Sequence, residues 1–308
     1  MSCSRAAFFL AAAVILSAQP PKGAGGPPRP QPIPSGVKVE ENITFAKVGP
    51  REIRLDLYRP EHPAGKLPTV VWIFGGAWAA HARDVQSATG AFLATHGYAV
   101  ASIDYRVSSE ALWPAQIQDC KAAVRWLRAN AGRYGLDSGR IGAWGASSGG
   151  HLASMLGTTG GVRELEGDEG NPGQSSRVHA VVDFFGPTDF LQMDAHHLPN
   201  GMLHDKASSP ESLLVGGPIQ ENKDKVQRAN PITYIAKDCP PFLILHGEQD
   251  LLVPLHQSVL LYDALCKAGV NATFFKIAGA GHGGSEFDSP VVQAMVLAFF
   301  DQYLKGAK

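Results

Sequence analysis

Two kinds of apolar pattern divide the chain. Over residues 43–48 and 53–58, apolar and polar side chains alternate on either side of Gly49 and Pro50. A period of two sends successive side chains to opposite faces, so this pair predicts an antiparallel hairpin with one wet face at the edge of a sheet. Farther on the runs are continuously apolar, over residues 69–74, 98–103, 141–144, 178–185, 242–245 and 273–277. Strands buried on both faces read in that way, as parallel strands covered by helices do.

Helical stretches lie between these runs. Residues 114–131 place Ile117, Val124 and Leu127 on one face, with Pro114 at the start and Gly132 just past the end, the positions where those residue types suit a helix. Residues 151–156, 255–268 and 290–304 read as helices too. Strand and helix alternating over short connections predict a doubly wound, mostly parallel sheet flanked by helices, with chemistry in the loops beyond the carboxyl ends of its strands. Residues 186–228 break the rhythm. A connection that long is expected to be a lid-like or binding loop, with room for a short helix or two. Its Asp189, Asp194, His196, His197, Asn200, His204 and Asp205 read as a solvated polar rim, and their spacing matches no metal-ligand motif.

Composition narrows the class. The 308 residues are 44% hydrophobic and 18% charged, which suits one globular domain with a continuous core. A net charge of -1 supplies no footprint for nucleic acid or an anionic membrane. The first residues look like an export leader: Arg5, an apolar run over residues 6–16, then the small Ser17 and Ala18. That run is shorter than the roughly 20 residues a membrane-spanning helix needs. A leader over residues 1–18, an extended Pro/Gly-rich linker over 19–36, a catalytic domain over 37–308 and a periplasmic or extracellular location are therefore expected. Three cysteines follow the leader, Cys120, Cys239 and Cys266; a domain of this size needs no disulfide framework, and they are expected as free thiols. No cofactor is called for.

The chemistry gathers at strand ends. Gly145-Ala146-Ser147-Ser148-Gly149 sits between the run at 141–144 and the helix at 151–156. A serine on a sharp strand-to-helix turn is held in a strained conformation with its hydroxyl above the sheet. The run at 242–245 leads into His246-Gly247-Glu248-Gln249-Asp250, and the run at 273–277 into Gly281-His282-Gly283. A serine hydroxyl becomes a nucleophile when an imidazole accepts its proton and a carboxylate fixes that imidazole's tautomer. Ser147, Asp250 and His282 are the candidates, in the chain order nucleophile, acid, histidine. After the run at 69–74, Gly75-Gly76-Ala77-Trp78 forms a turn able to aim backbone N–H groups at a developing oxyanion, and Gly76, Ala77 and Ser148 are the expected donors. Trp78 is a candidate to stack on a sugar ring or aromatic acid, or to pack beneath the loop.

With these residues in view, the chain resembles α/β-hydrolase-fold esterases of the bacterial branch that includes feruloyl and acetyl-xylan esterases, related to the hormone-sensitive-lipase-like hydrolases. The resemblance runs from Val37 to the C-terminus. It rests on FGGAW from Phe74, DYR from Asp104, PAQIQDCKAAVRWLR from Pro114, GRIGAWGASSGGHLAS from Gly139, HGEQDLLVP from His246 and GAGHGG from Gly279. It implies a serine carboxylic-ester hydrolase that needs no metal or cofactor and acts on small-molecule or polysaccharide esters. The family usually has His where Phe74 stands, which implies an altered scaffold beneath the anion site in an active enzyme.

Overall fold

The computed structural model describes residues 33–80 and 87–306. The expected leader and most of the expected linker lie outside the described residues. Among the described residues one eight-stranded sheet runs in the order β1-β2-β4-β3-β5-β6-β7-β8. The hairpin is β1 (Val37–Val48) and β2 (Arg51–Pro60), joined at Gly49 and Pro50 and paired antiparallel. Its inner strand also pairs antiparallel with β4 (Ala99–Ile103), so within the hairpin the edge is β1 alone. From β4 onward, through β3 (Leu67–Ile73), β5 (Leu136–Ala146), β6 (Val181–Phe184), β7 (Phe242–Gly247) and β8 (Ala272–Ile277), neighbouring strands are parallel.

The continuous apolar runs follow from burial on both faces. In β3, Val71 and Ile73 join one core cluster while Val70 and Trp72 join the other. The first cluster is covered by α2 (Ala115–Ala129), α4 (Ser148–Thr158) and α7 (His256–Lys267), which contribute Ile117, Leu152 and Leu261 among others. The second is covered by α1 (Ser87–Thr95) and α8 (Pro290–Phe300), through Leu93, Val296 and Phe300. Each large apolar side chain so buried stabilises the fold by about 1.5–3 kcal/mol before entropy is counted. Helix α1 is not legible in the sequence, because SATGAFLAT carries no helical apolar period. The helix expected to reach residue 131 stops at Ala129 and restarts as the short α3 (Ala131–Tyr134), ended by Gly135 in the left-handed region.

Residues 186–228 are folded onto the sheet end. They form α5 (Pro210–Val215), α6 (Lys223–Arg228) and short 3-10 turns at Phe190–Gln192, Asp194–His196 and Ile219–Glu221. The segment is pinned to α7 by Gln257, whose Oε1 accepts from Thr188 N and Asp189 N, both at 2.7 Å. Cys120 and Cys239 are free thiols, whereas Cys266, expected as a third, is disulfide-bonded. No helix among the described residues is long and apolar enough to cross a membrane.

Candidate active site

Strand β5 ends at Ala146 and α4 begins at Ser148, leaving Ser147 at the corner with φ 57° and ψ -125°. A residue with a Cβ avoids that region unless its surroundings impose it. Two packed backbones do so here. A Cβ on Gly145 would stand 2.1 Å from Gly149 O, and one on Gly149 would stand 2.0 Å from Ile73 O. Only glycine at both positions lets β3, β5 and the start of α4 approach this closely. Hydrogen bonds from Ser147 N to Phe184 O at 2.8 Å and from His151 N to Ser147 O at 3.0 Å hold the corner in place.

Ser147, His282 and Asp250, drawn from three separate loops, meet there. His282 Nε2 lies 2.9 Å from Ser147 Oγ and His282 Nδ1 lies 2.8 Å from Asp250 Oδ2. Since the carboxylate only accepts, Nδ1 carries the hydrogen and the Nε2 lone pair faces the hydroxyl. Asp250 is buried and accepts at Oδ1 from Leu252 N at 2.8 Å and Val253 N at 2.9 Å. Burial opposes its charge, but the hydrogen bonds from His246 and His282 outweigh it and hold the carboxyl well below its usual range.

Two neighbours of the triad were not read from the sequence. His246, buried at the end of β7, stands 3.1 Å from Asp250 Oδ2 and 2.9 Å from Val253 O through Nε2, while Nδ1 lies 2.7 Å from Ser258 Oγ. It is a second donor to the carboxylate, and its place in HGEQD was the available signal. Phe185, at φ 44°, lays its ring against His282 with centroids 4.6 Å apart. Glycines flank His282, so this face and the Asp250 bond are what orient its imidazole.

The anion-site loop touches the corner: a Cβ on Gly75 would stand 2.8 Å from Ala146 O and 3.2 Å from Ser147 Cβ. Gly76 (φ 122°), Ala77 (φ 57°) and Trp78 (φ 53°) follow with left-handed backbones. Among the described residues the N–H groups of Gly76 and Ala77, which lie outside any helix or strand, donate to no backbone carbonyl. Ser148 opens α4, where the helix dipole also favours an anion. Phe74, in the place where the family usually has His, is buried and stacks on Tyr105 with centroids 4.6 Å apart and planes 12° apart. An aromatic pair therefore carries the loop in place of a polar scaffold.

Trp78 is corrected as a substrate-binding candidate. It is 1% exposed, donates from Nε1 to His151 Nδ1 at 3.3 Å and packs on His151 and Phe190. No ring face is left for a ligand, because the left-handed turn drives the indole inward beneath the loop. His151 in turn donates through Nε2 to Ala229 O at 2.7 Å. Complete burial pushes this imidazole down to about 4, so it is neutral at ordinary pH. Several polar groups of the 186–228 segment are spent within it. Asp189 accepts from Leu191 N and Gln192 Nε2, and His197 Nδ1 bonds Asp194 O. Among the described residues no group of three or more His, Cys, Asp or Glu side chains is arranged to hold a metal ion.

Known proteins resemble this chain over most of its length. A family model described as BD-FAE matches residues 55–265. Esterase LipC of Mycobacterium tuberculosis is 30% identical over 250 residues, covering 79% of this chain and 60% of that protein. The probable carboxylic ester hydrolase LipM of the same organism is 34% identical over 229 residues, covering 73% and 51%. The chain thus spans between half and three-fifths of the length of these relatives. Among solved structures, a truncated carbohydrate esterase from gut microbiota shares 38% identity at a TM-score of 0.78, covering 86% of this chain and 95% of that one. An acetyl ester-xyloside bifunctional hydrolase from Caldicellulosiruptor lactoaceticus shares 25% at 0.69, covering 82% and 89%. A family match over most of the chain, on a sheet that superposes with esterase structures, makes this chain a member of the BD-FAE family with the α/β-hydrolase fold.

Proposed function

We propose that the chain is a serine carboxylic-ester hydrolase that works through an acyl-enzyme. The contact that carries this reading is Ser147 Oγ, 2.9 Å from an imidazole nitrogen whose ring is held at its other nitrogen by Asp250. As Ser147 Oγ attacks the ester carbonyl, its proton passes to His282 Nε2, and Asp250 stabilises the imidazolium that forms. The carbonyl oxygen takes up negative charge toward the N–H groups of Gly76, Ala77 and Ser148, each worth about 3 kcal/mol in such a transition state. Collapse breaks the bond to the alcohol, which leaves with the Nε2 proton. Water then attacks the acyl-serine, giving its proton to Nε2, and Ser147 leaves with that proton while the acid is released.

The substrates we infer are short acyl or feruloyl esters such as those on plant polysaccharides. A carbohydrate esterase and an acetyl ester-xyloside hydrolase among the similar structures support this reading. Export to the periplasm or beyond, proposed from the leader pattern, would bring the enzyme to such polymers. One observation favours plain alkyl esters instead: Leu203, Leu251 and Leu252, on or beside the loop bearing Asp250, are 40%, 46% and 47% exposed. An apolar rim suits an alkyl chain better than a sugar. Comparing kcat/KM for acetylated xylan, methyl ferulate and p-nitrophenyl butyrate separates the two readings. Preference for the butyrate over both of the others by about tenfold or more would refute the polysaccharide assignment, and absence of fluorophosphonate labelling at Ser147 would refute ester hydrolysis altogether.

A further inference from the structure

His204 is buried, with 2% of its side chain exposed, on the segment that connects β6 to β7. Its Nδ1 stands 2.9 Å from Oε2 of the equally buried Glu211 in the first turn of α5, and its Nε2 stands 2.8 Å from Leu252 O. A carboxylate and a carbonyl both only accept, so both ring nitrogens carry hydrogen and the ring is an imidazolium between two charge-assisted hydrogen bonds. Leu252 lies two residues past Asp250, and its N–H is one of the two that hold Asp250 Oδ1. Met202 N ties the adjoining Leu251 O at 2.7 Å, and His246 Nε2 ties Val253 O at 2.9 Å. Val253 is anchored in the core, but the side chains of Leu251 and Leu252 are half exposed, so backbone hydrogen bonds hold the two residues between Asp250 and that anchor.

We propose that His204, backed by Glu211, is a positioning residue for the triad: it holds the Leu252 carbonyl so that the Leu252 and Val253 N–H groups stay aimed at Asp250 and Asp250 at His282. His204 touches no reacting atom and acts through Asp250, and the proposal rests on the esterase reading above. Asp194 completes the arrangement from the other side, accepting at Oδ1 from His204 N and at Oδ2 from Asp205 N at 3.2 Å. Asp194 and His204, read from the sequence as part of a solvated polar rim, thus form a clasp on the acid loop.

The charged groups facing His204 are Glu211 from α5 and Asp194 from the turn at Asp194–His196. Burial works against the imidazolium, yet these carboxylates and the Leu252 carbonyl prevail and raise His204 above its ordinary value. As pH climbs through that raised value, one nitrogen loses its hydrogen while still facing an acceptor, and the clasp slackens. The turnover number then acquires an alkaline limb that belongs to His204.

The test uses the purified full chain with p-nitrophenyl acetate and a fluorophosphonate probe. His204→Leu is expected to lower kcat by about ten- to a hundredfold, the effect of slightly misplacing a catalytic group, with KM nearly unchanged and probe labelling slowed in parallel. His204→Gln, whose amide nitrogen reaches the place of Nε2, should recover most of that loss. A purely structural histidine would instead lower Tm and leave the rate per labelled site untouched. Should His204→Leu fail to fold, Glu211→Gln decides the matter. A neutral His204 can then donate to Leu252 O while accepting from the new side-chain amide, so the alkaline limb of kcat should disappear. A folded His204→Leu enzyme with kcat within about twofold of wild type, or an unchanged alkaline limb in Glu211→Gln, overturns the proposal. Failure of the wild-type protein to label or to hydrolyse ester would instead overturn the esterase reading, so the two failures are distinct.

Discussion

Replacing Asp250 by Asn keeps the shape of the side chain while removing its charge and changing its hydrogen bonding. In the native protein Oδ1 accepts from Leu252 N at 2.8 Å and Val253 N at 2.9 Å, while Oδ2 faces His282 Nδ1 at 2.8 Å and His246 Nε2 at 3.1 Å. The variant's amide oxygen must stay with the two backbone N–H groups, because turning the NH2 toward them would set donor against donor twice. The NH2 then takes the place of Oδ2 and donates to His282 Nδ1, so the ring hydrogen moves to Nε2. That nitrogen, 2.9 Å from Ser147 Oγ, becomes a donor and no longer accepts the hydroxyl proton. The expected loss in kcat is about 10⁴-fold, the size seen where the same exchange misassigns a triad tautomer, equivalent to about 5.4 kcal/mol of barrier. KM should hardly move, since Asp250 meets no substrate atom. Initial rates on p-nitrophenyl acetate, corrected for spontaneous hydrolysis, measure the effect, and the fluorophosphonate labelling rate should fall by the same factor. His246 keeps its bond to Val253 O at 2.9 Å, so the loop should stay folded, as circular dichroism would report. A folded Asp250→Asn enzyme retaining more than about a tenth of wild-type kcat would show that the carboxylate does not set the tautomer.

Ser147→Ala and His282→Ala should each cost about 10⁴-fold or more in kcat and the double variant hardly more than either, because the residues act as one unit; additive losses would contradict that. Trp78→Phe removes the hydrogen bond to His151 and is expected to cost about 1 kcal/mol of stability by urea unfolding. Because the ring is buried, the ratio of activity on acetylated xylan to p-nitrophenyl acetate should not change, and a marked fall in that ratio would restore Trp78 as a sugar platform. His151, pushed down to about 4, binds its proton in the unfolded chain before the folded one, so its contribution is intact above pH 6.5 and lost as pH falls toward 4. The loss approaches about 3 kcal/mol. Unfolding midpoints at pH 7 and 4.5 should show a smaller acid loss in His151→Gln than in wild type, and equal losses would refute the assignment.

What the sequence determined by itself was whatever local periodicity and turn chemistry encode. A period of two marked the hairpin, unbroken apolar runs marked strands with two dry faces, and glycines at 145 and 149 marked a corner where no side chain fits. Those signals are short-range, and they suffice for the fold class and for choosing Ser147, Asp250 and His282 as candidates. Helix α1 escaped because its burial comes from the sheet it lies on and not from any period of its own. The tertiary structure alone decided where long-range partners fall. Nothing in the spacing of Trp78 and His151 shows that they bond, or that a left-handed turn buries the indole. Phe185 gives no local sign that it backs His282, and neither does His204 that its nitrogens close on Glu211 and Leu252. Charged and aromatic side chains in loops carry no period to read. Their partners are set by how the loops at the strand ends pack, which becomes determinate only once the sheet brings them together.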